Sequence, residues 1–408
     1  MEKPNFLFFI SYFLFLLLPV SLSAHDFGLV ISANGGFGNA VLEQDDNALD
    51  FKVDILPRFS TVIGDNGEFI VSAGFSLEKE EEFFSVPELL HTEFSMRFDD
   101  SGIRVGRINY SDPLSYIANG LFDGFQYYYN SEMGNFRASA FYTGLQYKRR
   151  ANIVMSKDDQ AAFFAPFDYG DFFNTYFASK RTFISIGWEH PSIAEIMHLN
   201  MAIIGQADLN SADSKYHNQY LILKAAVPIS NFLMEFGGSV ELSQTVGNED
   251  KFNVAFAGEI GLFLLFPSKF NSRLSFKGII ASGKTDDPIN AFVPITGKEF
   301  GYILKTRISG LSIFSLNYSS KFSNSLDGSF TASYFVRNDL GTFNSYPVTA
   351  ANEGYFLGPE ASAQVTWGLA SDLQLIFGCG AFFPSLGDVG PKESIKWRVD
   401  LTVIMSIL

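Results

Sequence analysis

The chain has 408 residues, 47% of them apolar and 16% aromatic, with 45 Phe and a formal net charge of −15. That balance disfavours a polyanionic partner such as nucleic acid, and a single cysteine, Cys379, excludes an intramolecular disulfide scaffold. Beyond the N-terminal segment the longest apolar run is 260–267, too short for a membrane-crossing helix, so this much Phe is either packed in a large core or presented to lipid by alternating strands.

Residues 1–24 read as an export signal. Lys3 supplies a thin positive region, Phe6 to Leu18 an apolar core, and Leu22-Ser23-Ala24 a cleavage site before His25. After it one theme repeats: an alternating segment, then a turn rich in Gly, Asn, Asp, Ser or Pro. The first half gives predicted strands at 28–34, 48–59, 67–78, 89–98, 102–110, 121–130, 133–147, 180–190, 197–208 and 216–228. The second half gives 230–244, 250–266, 269–282, 299–309, 311–321, 326–338, 355–369, 371–384 and 394–408. These are odd in number, whereas single-chain bacterial barrels have even strand numbers, so one near the N-terminus is expected to be a tail or bent piece. The fold class that follows is all-β, a transmembrane antiparallel β-barrel of about 18 strands, with 16 as the alternative, formed by 25–408 as one domain.

Connections alternate in length. Short ones are expected near Asp99-Asp100-Ser101, Ser230, Gly310 and Ser371, and long ones over 148–179, 282–298 and 338–354. The first long loop interleaves Phe163, Phe164, Phe167, Tyr169, Phe172, Phe173, Tyr176 and Phe177 with Asp and Pro166. A segment this aromatic is expected to fold inward as a constriction or to pack at the rim, where aromatic rings anchor at a membrane interface.

The last segment, Ile395 to Leu408, carries Trp397, Val399, Leu401, Val403, Met405 and Ile407 on one face and Arg398, Asp400, Thr402 and Ser406 on the other. A sheet in a bilayer cannot leave an unpaired edge, so such a strand is expected to close on the first. Cys379 shares the apolar parity of Leu375, Phe377 and Ala381 and reads as an inert lipid-facing residue. Charge confined to one parity has an energetic cause, since a lipid-facing charge costs ~2–4 kcal/mol near the midplane. The inward faces then carry acids at Glu93, Glu235, Glu241 and Glu259 and bases at Arg273, Lys277, Lys305, Arg307 and Arg337. Acidic strands beside basic ones predict a transverse field across the lumen. The alternative is that the two walls pair and neutralise each other. Arg107 has the parity of Ile103 and Val105, so a bulge at Gly106 is needed to turn it inward.

Residues Ile103 to Tyr129 contain Gly106-Arg107 at a strand end and Asp123-Gly124 opening the next, and Tyr355 to Pro384 contains Gly358, Glu360 and Phe382-Phe383-Pro384. These stretches resemble outer-membrane porins of the alginate-export type. Ile108 stands where Gln is usual, and Leu408 where a terminal aromatic is. The resemblance implies an 18-stranded barrel with an arginine- and lysine-lined conduit for an anionic, often sugar-like solute.

The expected function is a passive porin in the outer membrane of a diderm bacterium, its partners being outer-membrane lipid, a small solute and the barrel-assembly machinery engaging the C-terminal strand. No cofactor is implied, and the oligomeric state is left open. A transporter of hydrophobic molecules needs a plug, and 25–47 is short and polar for one. An adhesin whose loops do the work is a further alternative. Catalysis is not expected: His91 lies near Glu93 and Ser95, but no nucleophile motif accompanies them. The pairs Asp45-Asp46 and Asp286-Asp287 lack metal-ligand spacing and read as solvated loop acids.

Overall fold

The computed structural model describes residues 25–407 apart from 42–46, 80–82, 212–213, 248–249, 268–269, 285–288, 342, 346–347, 351–353 and 389–394. The export segment 1–24 and the acidic pairs Asp45-Asp46 and Asp286-Asp287 lie outside the described residues.

Alternating side chains make strands because both faces of each can be satisfied, one by lipid and one by a polar interior. The first ten are β1 (His25–Gly38), β2 (Ala48–Ile63), β3 (Gly67–Lys79), β4 (Phe83–Phe98), β5 (Ser101–Ser111), β6 (Asn119–Ser131), β7 (Gly134–Tyr142), β8 (Arg181–Ile193), β9 (Met197–Asp208) and β10 (Lys215–Ile229). Then come β11 (Phe232–Val246), β12 (Lys251–Phe266), β13 (Ser272–Ala281), β14 (Leu311–Ser323) and β15 (Leu326–Arg337). A small separate hairpin, β16 (Phe343–Ser345) and β17 (Val348–Ala350), precedes β18 (Phe356–Gly368), β19 (Leu373–Phe382) and β20 (Lys396–Ile407). All but that hairpin form one 18-stranded antiparallel sheet, and β20 returns to β1 from Leu29–Ile407 to Gly38–Arg398. The terminal strand therefore closes the barrel as its alternation predicts.

One predicted strand, 299–309, is absent, and the bent N-terminal piece is instead the full wall strand β1. Ile303 and Leu304 are adjacent and both buried, and the chain folds back between Phe300 and Thr306 through two backbone hydrogen bonds of 2.7 and 2.9 Å. The apolar residues there face the inner wall, which imitates a strand's pattern. Gly310 accordingly ends a long connection, 282–310, and is not itself a short turn.

The outer surface exposes Phe125, Ile184, Ile186, Ile203, Leu221, Leu223, Phe236, Val240, Phe314, Leu316, Phe377 and Leu401. Each such side chain left in water forgoes ~1.5–3 kcal/mol, so the belt requires lipid. Phe98, Tyr129, Phe266, Phe322 and Trp367 ring one end as an aromatic girdle. That end carries the short turns, among them 64–66, 99–100, 132–133, 230–231 and 324–325; the long connections 112–118, 143–180, 282–310 and 338–355 leave the other.

The wall is incompletely paired between β4 and β5. β4 and β5 pair over only seven positions, from Thr92–Arg107 to Phe98–Ser101, and β4 from Phe83 to His91 has no β5 partner. Side chains cap its carbonyls instead: Tyr169 donates to Ser85 O (2.6 Å), Tyr176 to Pro87 O (2.8 Å) and Arg107 to Leu89 O. The aromatic run thus completes the wall. Tyr147, Phe167, Phe172, Tyr176 and Phe177 pack with Val86 and Phe84 of β4.

Candidate functional site

Three connections fold into the lumen and lock together. In 112–118, Asp112 accepts N–H groups from Leu114 (2.8 Å), Ser115 (3.0 Å), Ile117 (2.9 Å) and Ala118 (2.9 Å), wrapping the loop around one carboxylate. Burial pushes that carboxyl up from the ordinary range, while the N–H donors pull it down. Loop 143–180 holds α1 (Lys148–Ala151), α2 (Lys157–Phe164) and α3 (Phe172–Thr175), with α2 started by a Ser156–Asp159 capping box. Asp159 also meets the fully buried Arg181 of β8 at 2.5 Å, and Arg181 meets Asp208 at 3.1 Å, which fixes the loop to the wall. Loop 282–310 is held at Glu241, which accepts Val293 N–H (2.7 Å), and at Glu360, which accepts Ile303 and Leu304 N–H (2.8 and 2.9 Å). Thr296 and Gly297 bond to Ile117 and Asn152 of the other two loops. Leu114, Ile117, Ile153, Met155, Phe292, Ile295 and Ile308 then form an apolar core with Phe122, Phe141, Phe183 and Ile204 of the inner wall.

Several predicted pore-lining residues serve this scaffold. Glu241 is fully buried and holds the 282–310 loop, and Arg337 donates to the carbonyls of Gly341 and Gly354. The register through Gly106 is continuous, without a bulge; the glycine takes φ +117° because a Cβ there would strike Thr92 O. Arg107 keeps the parity of Val105 and is clamped by Asp123 (2.8 Å) and the carbonyls of Leu89 and Leu145, so it does not turn into the lumen. Lys305 and Arg307 lie on the infolded loop, not on a strand: Lys305 is exposed in a left-handed turn, and Arg307 stacks on Phe163 (5.7 Å) and reaches Asn152. Phe164 lies against Phe163, while Phe167, Tyr169, Phe172 and Phe173 are grouped in the β4 aromatic cluster.

The expected acidic and basic walls meet in one ion pair, Lys277 with Glu259, and Lys224 of β10 supplies a second cation to the acids. Glu259 lies between Lys224 (3.2 Å) and Lys277 (2.7 Å), and Glu235 takes Lys224 at 3.0 Å. Antiparallel neighbours bring these side chains together, so Glu235 and Glu259 are held in wall ion pairs. Arg273 sits on the inward parity of β13, exposed and without an ion pair among the described residues. Opposite charges also meet across β1, where Arg398 pairs with Asp400 (2.6 Å) and Asp50 (2.8 Å). Gly36 makes that possible, since a Cβ there would collide with all three side chains.

The open space lies elsewhere, along β4 to β7 toward the short-turn end. A cavity of about 580 Å³ is lined by Arg97, Arg104 and Arg137 with Asp99, Gln126 and Tyr128. Arg104 grips Glu93 with Nε (2.6 Å) and Nη2 (2.8 Å), and Glu93 faces His91 Nε2 at 2.8 Å. Arg137 reaches Glu189 at 3.2 Å, whose other oxygen faces His198 Nε2 at 3.0 Å. Arg104 and Arg137 escape a sequence reading centred on Arg107. The signal was present: Arg104 has the parity opposite to Ile103 and Val105, and Arg137 the parity opposite to Phe136.

No protein-family model and no curated protein matches the chain. Solved structures do. The chain is similar to Pseudomonas aeruginosa OccK2 (OpdF) in complex with glucuronate, at 14% identity and TM-score 0.62 over 95% of this chain and 99% of that one. A BenF-like porin from Pseudomonas fluorescens Pf-5 matches at 11% identity and TM-score 0.62 over 95% and 99%, and OprD from Pseudomonas aeruginosa at 13% and 0.58 over 94% and 93%. What they share with this chain is the fold, the closed barrel of outer-membrane porins.

Proposed function

We propose that, with the barrel fold of outer-membrane porins, this chain is an outer-membrane channel for passive diffusion of small hydrophilic anions. The observation that carries the reading is the cavity walled by Arg97, Arg104 and Arg137 inside a closed, lipid-belted barrel. Guanidiniums stay charged at any physiological pH and present a planar fork that suits carboxylates; Arg104 and Arg137 each share one glutamate, Glu93 and Glu189, and Arg97 has no ion pair among the described residues. OccK2 was solved with glucuronate and OpdK with vanillate, both carboxylates, which supports this choice of solute charge. The narrower alginate-export-type reading, with a sugar-like solute, rests on the Gly106-Arg107 and Asp123-Gly124 motifs and on Gly358, Glu360 and Phe382-Phe383-Pro384. An export signal at 1–24, a surrounding of outer-membrane lipid and delivery by the barrel-assembly machinery through β20 belong to the same proposal. Arg273 is retained as a lumen cation; Lys277 acts there only as half of its pair with Glu259.

Purified protein in planar bilayers tests the reading. Stepwise openings are expected, with chloride preferred over potassium, and the preference falls when Arg97, Arg104 and Arg137 are replaced by Gln. A folded barrel that stays silent overturns it.

A further inference from the structure

Two of the three cavity arginines are held by the same three-residue arrangement on different pairs of strands. Arg104 of β5 is bound to Glu93 of β4, which touches His91; Arg137 of β7 is bound to Glu189 of β8, which touches His198 of β9. In each, one carboxylate is shared between a guanidinium that lines the cavity and an imidazole in hydrogen-bond contact. With a neutral imidazole the trio sums to zero, because the glutamate cancels the arginine. Histidine is the side chain whose charge changes between about pH 5 and 8, while carboxylates and guanidiniums in general keep theirs. Taking up a proton therefore leaves each trio at +1, with both partners already in place and no rearrangement needed.

We propose that His91 and His198 are selectivity-determining residues, making the anion preference of the arginine-walled cavity increase as pH falls. The proposal rests on the pore reading above and adds its regulation. Other charges adjoin the two sites. Around His91 these are Arg58 of β2, Glu68 of β3, Glu88 and Arg97 of β4, Arg104 of β5, and Arg150 of α1, which pairs with Glu88 at 3.0 Å. Around His198 they are Arg137 of β7, Glu189 and His190 of β8, and Lys224 of β10, itself paired with Glu235 and Glu259. Of these only His190 belongs to the residue type that titrates in the window, and its Nδ1 accepts the Ser192 N–H at 3.1 Å.

The experiment is the reversal potential of single channels in a potassium chloride gradient, read from pH 8 to pH 5. Two added charges, each one carboxylate removed from an arginine that lines the cavity, should raise the chloride-to-potassium permeability ratio about threefold in the unmodified protein. The double variant His91→Gln, His198→Gln keeps the ratio found at pH 8 and loses most of the rise; His217→Gln, outside both trios, keeps the rise. Glu93→Gln with Glu189→Gln removes the cancelling charges and carries at pH 8 the preference that the unmodified protein reaches at pH 5. A double histidine variant that follows the unmodified profile, or a glutamine pair that leaves the pH 8 ratio unchanged, overturns the proposal. A conducting channel with a flat pH profile sinks this inference alone, whereas a folded but silent barrel sinks the pore reading with it.

Discussion

Asp112 shows how one buried carboxylate shapes a loop that sequence alone leaves featureless. Its two oxygens take four N–H groups, so Asp112→Ala orphans donors that burial keeps from water. The expected loss is ~1–3 kcal/mol for each donor left unsatisfied, read as a lower temperature for losing the fast-migrating folded form on a gel. Arg181 is the sterner case, since Asp159 and Asp208 depend on it and its side chain is fully buried. Arg181→Met should cost ~3–5 kcal/mol, because breaking a buried pair leaves uncompensated charge. A stability unchanged within error would show that water reaches the cluster. At this scale the sequence was only partly legible. Parity placed Glu235, Glu241, Glu259 and Lys277 on inward faces, but it cannot tell a residue facing solute from one facing an infolded loop. Glu241 and Arg337 proved to be loop anchors for that reason.

Strands were the most readable elements, because period-two alternation with lipid on one side is a hard energetic constraint. Segment 197–208 was placed to the residue, and β20 closes on β1 as its two faces require. The failure at 299–309 has the same origin as the successes: apolar residues packed against an inner wall, here the adjacent Ile303 and Leu304 with Ile308, read like the buried face of a strand. Loops were the least legible, since their structure depends on distant partners such as Glu360 beneath Ile303 and Leu304. The lipid belt makes its own prediction. Leu223→Lys, on the exposed face of β10, should cost ~2–4 kcal/mol in a bilayer refolding titration. Little change there would mean that this face lies outside the apolar layer.

At the scale of the whole barrel, strand pairing is uneven. β10 and β11 pair from Lys215–Val246 to Ile229–Phe232, an unbroken ladder of fifteen positions, against seven between β4 and β5. Amide exchange should therefore be faster in the upper half of β4 than in β11, and Tyr169→Phe with Tyr176→Phe should widen the difference. Equal protection would mean that the caps do not limit opening.

The carbonyl caps of β4 also bear on which parts of the molecule can move. A loop that swings freely over a mouth can behave as a shutter, but this one is mortar in the masonry. Lifting the 163–177 segment would take away the Tyr169 and Tyr176 hydroxyls that the Ser85 and Pro87 carbonyls accept. Movement of this segment is thus coupled to opening of the wall at β4, and a hinge there would act on the barrel's own edge.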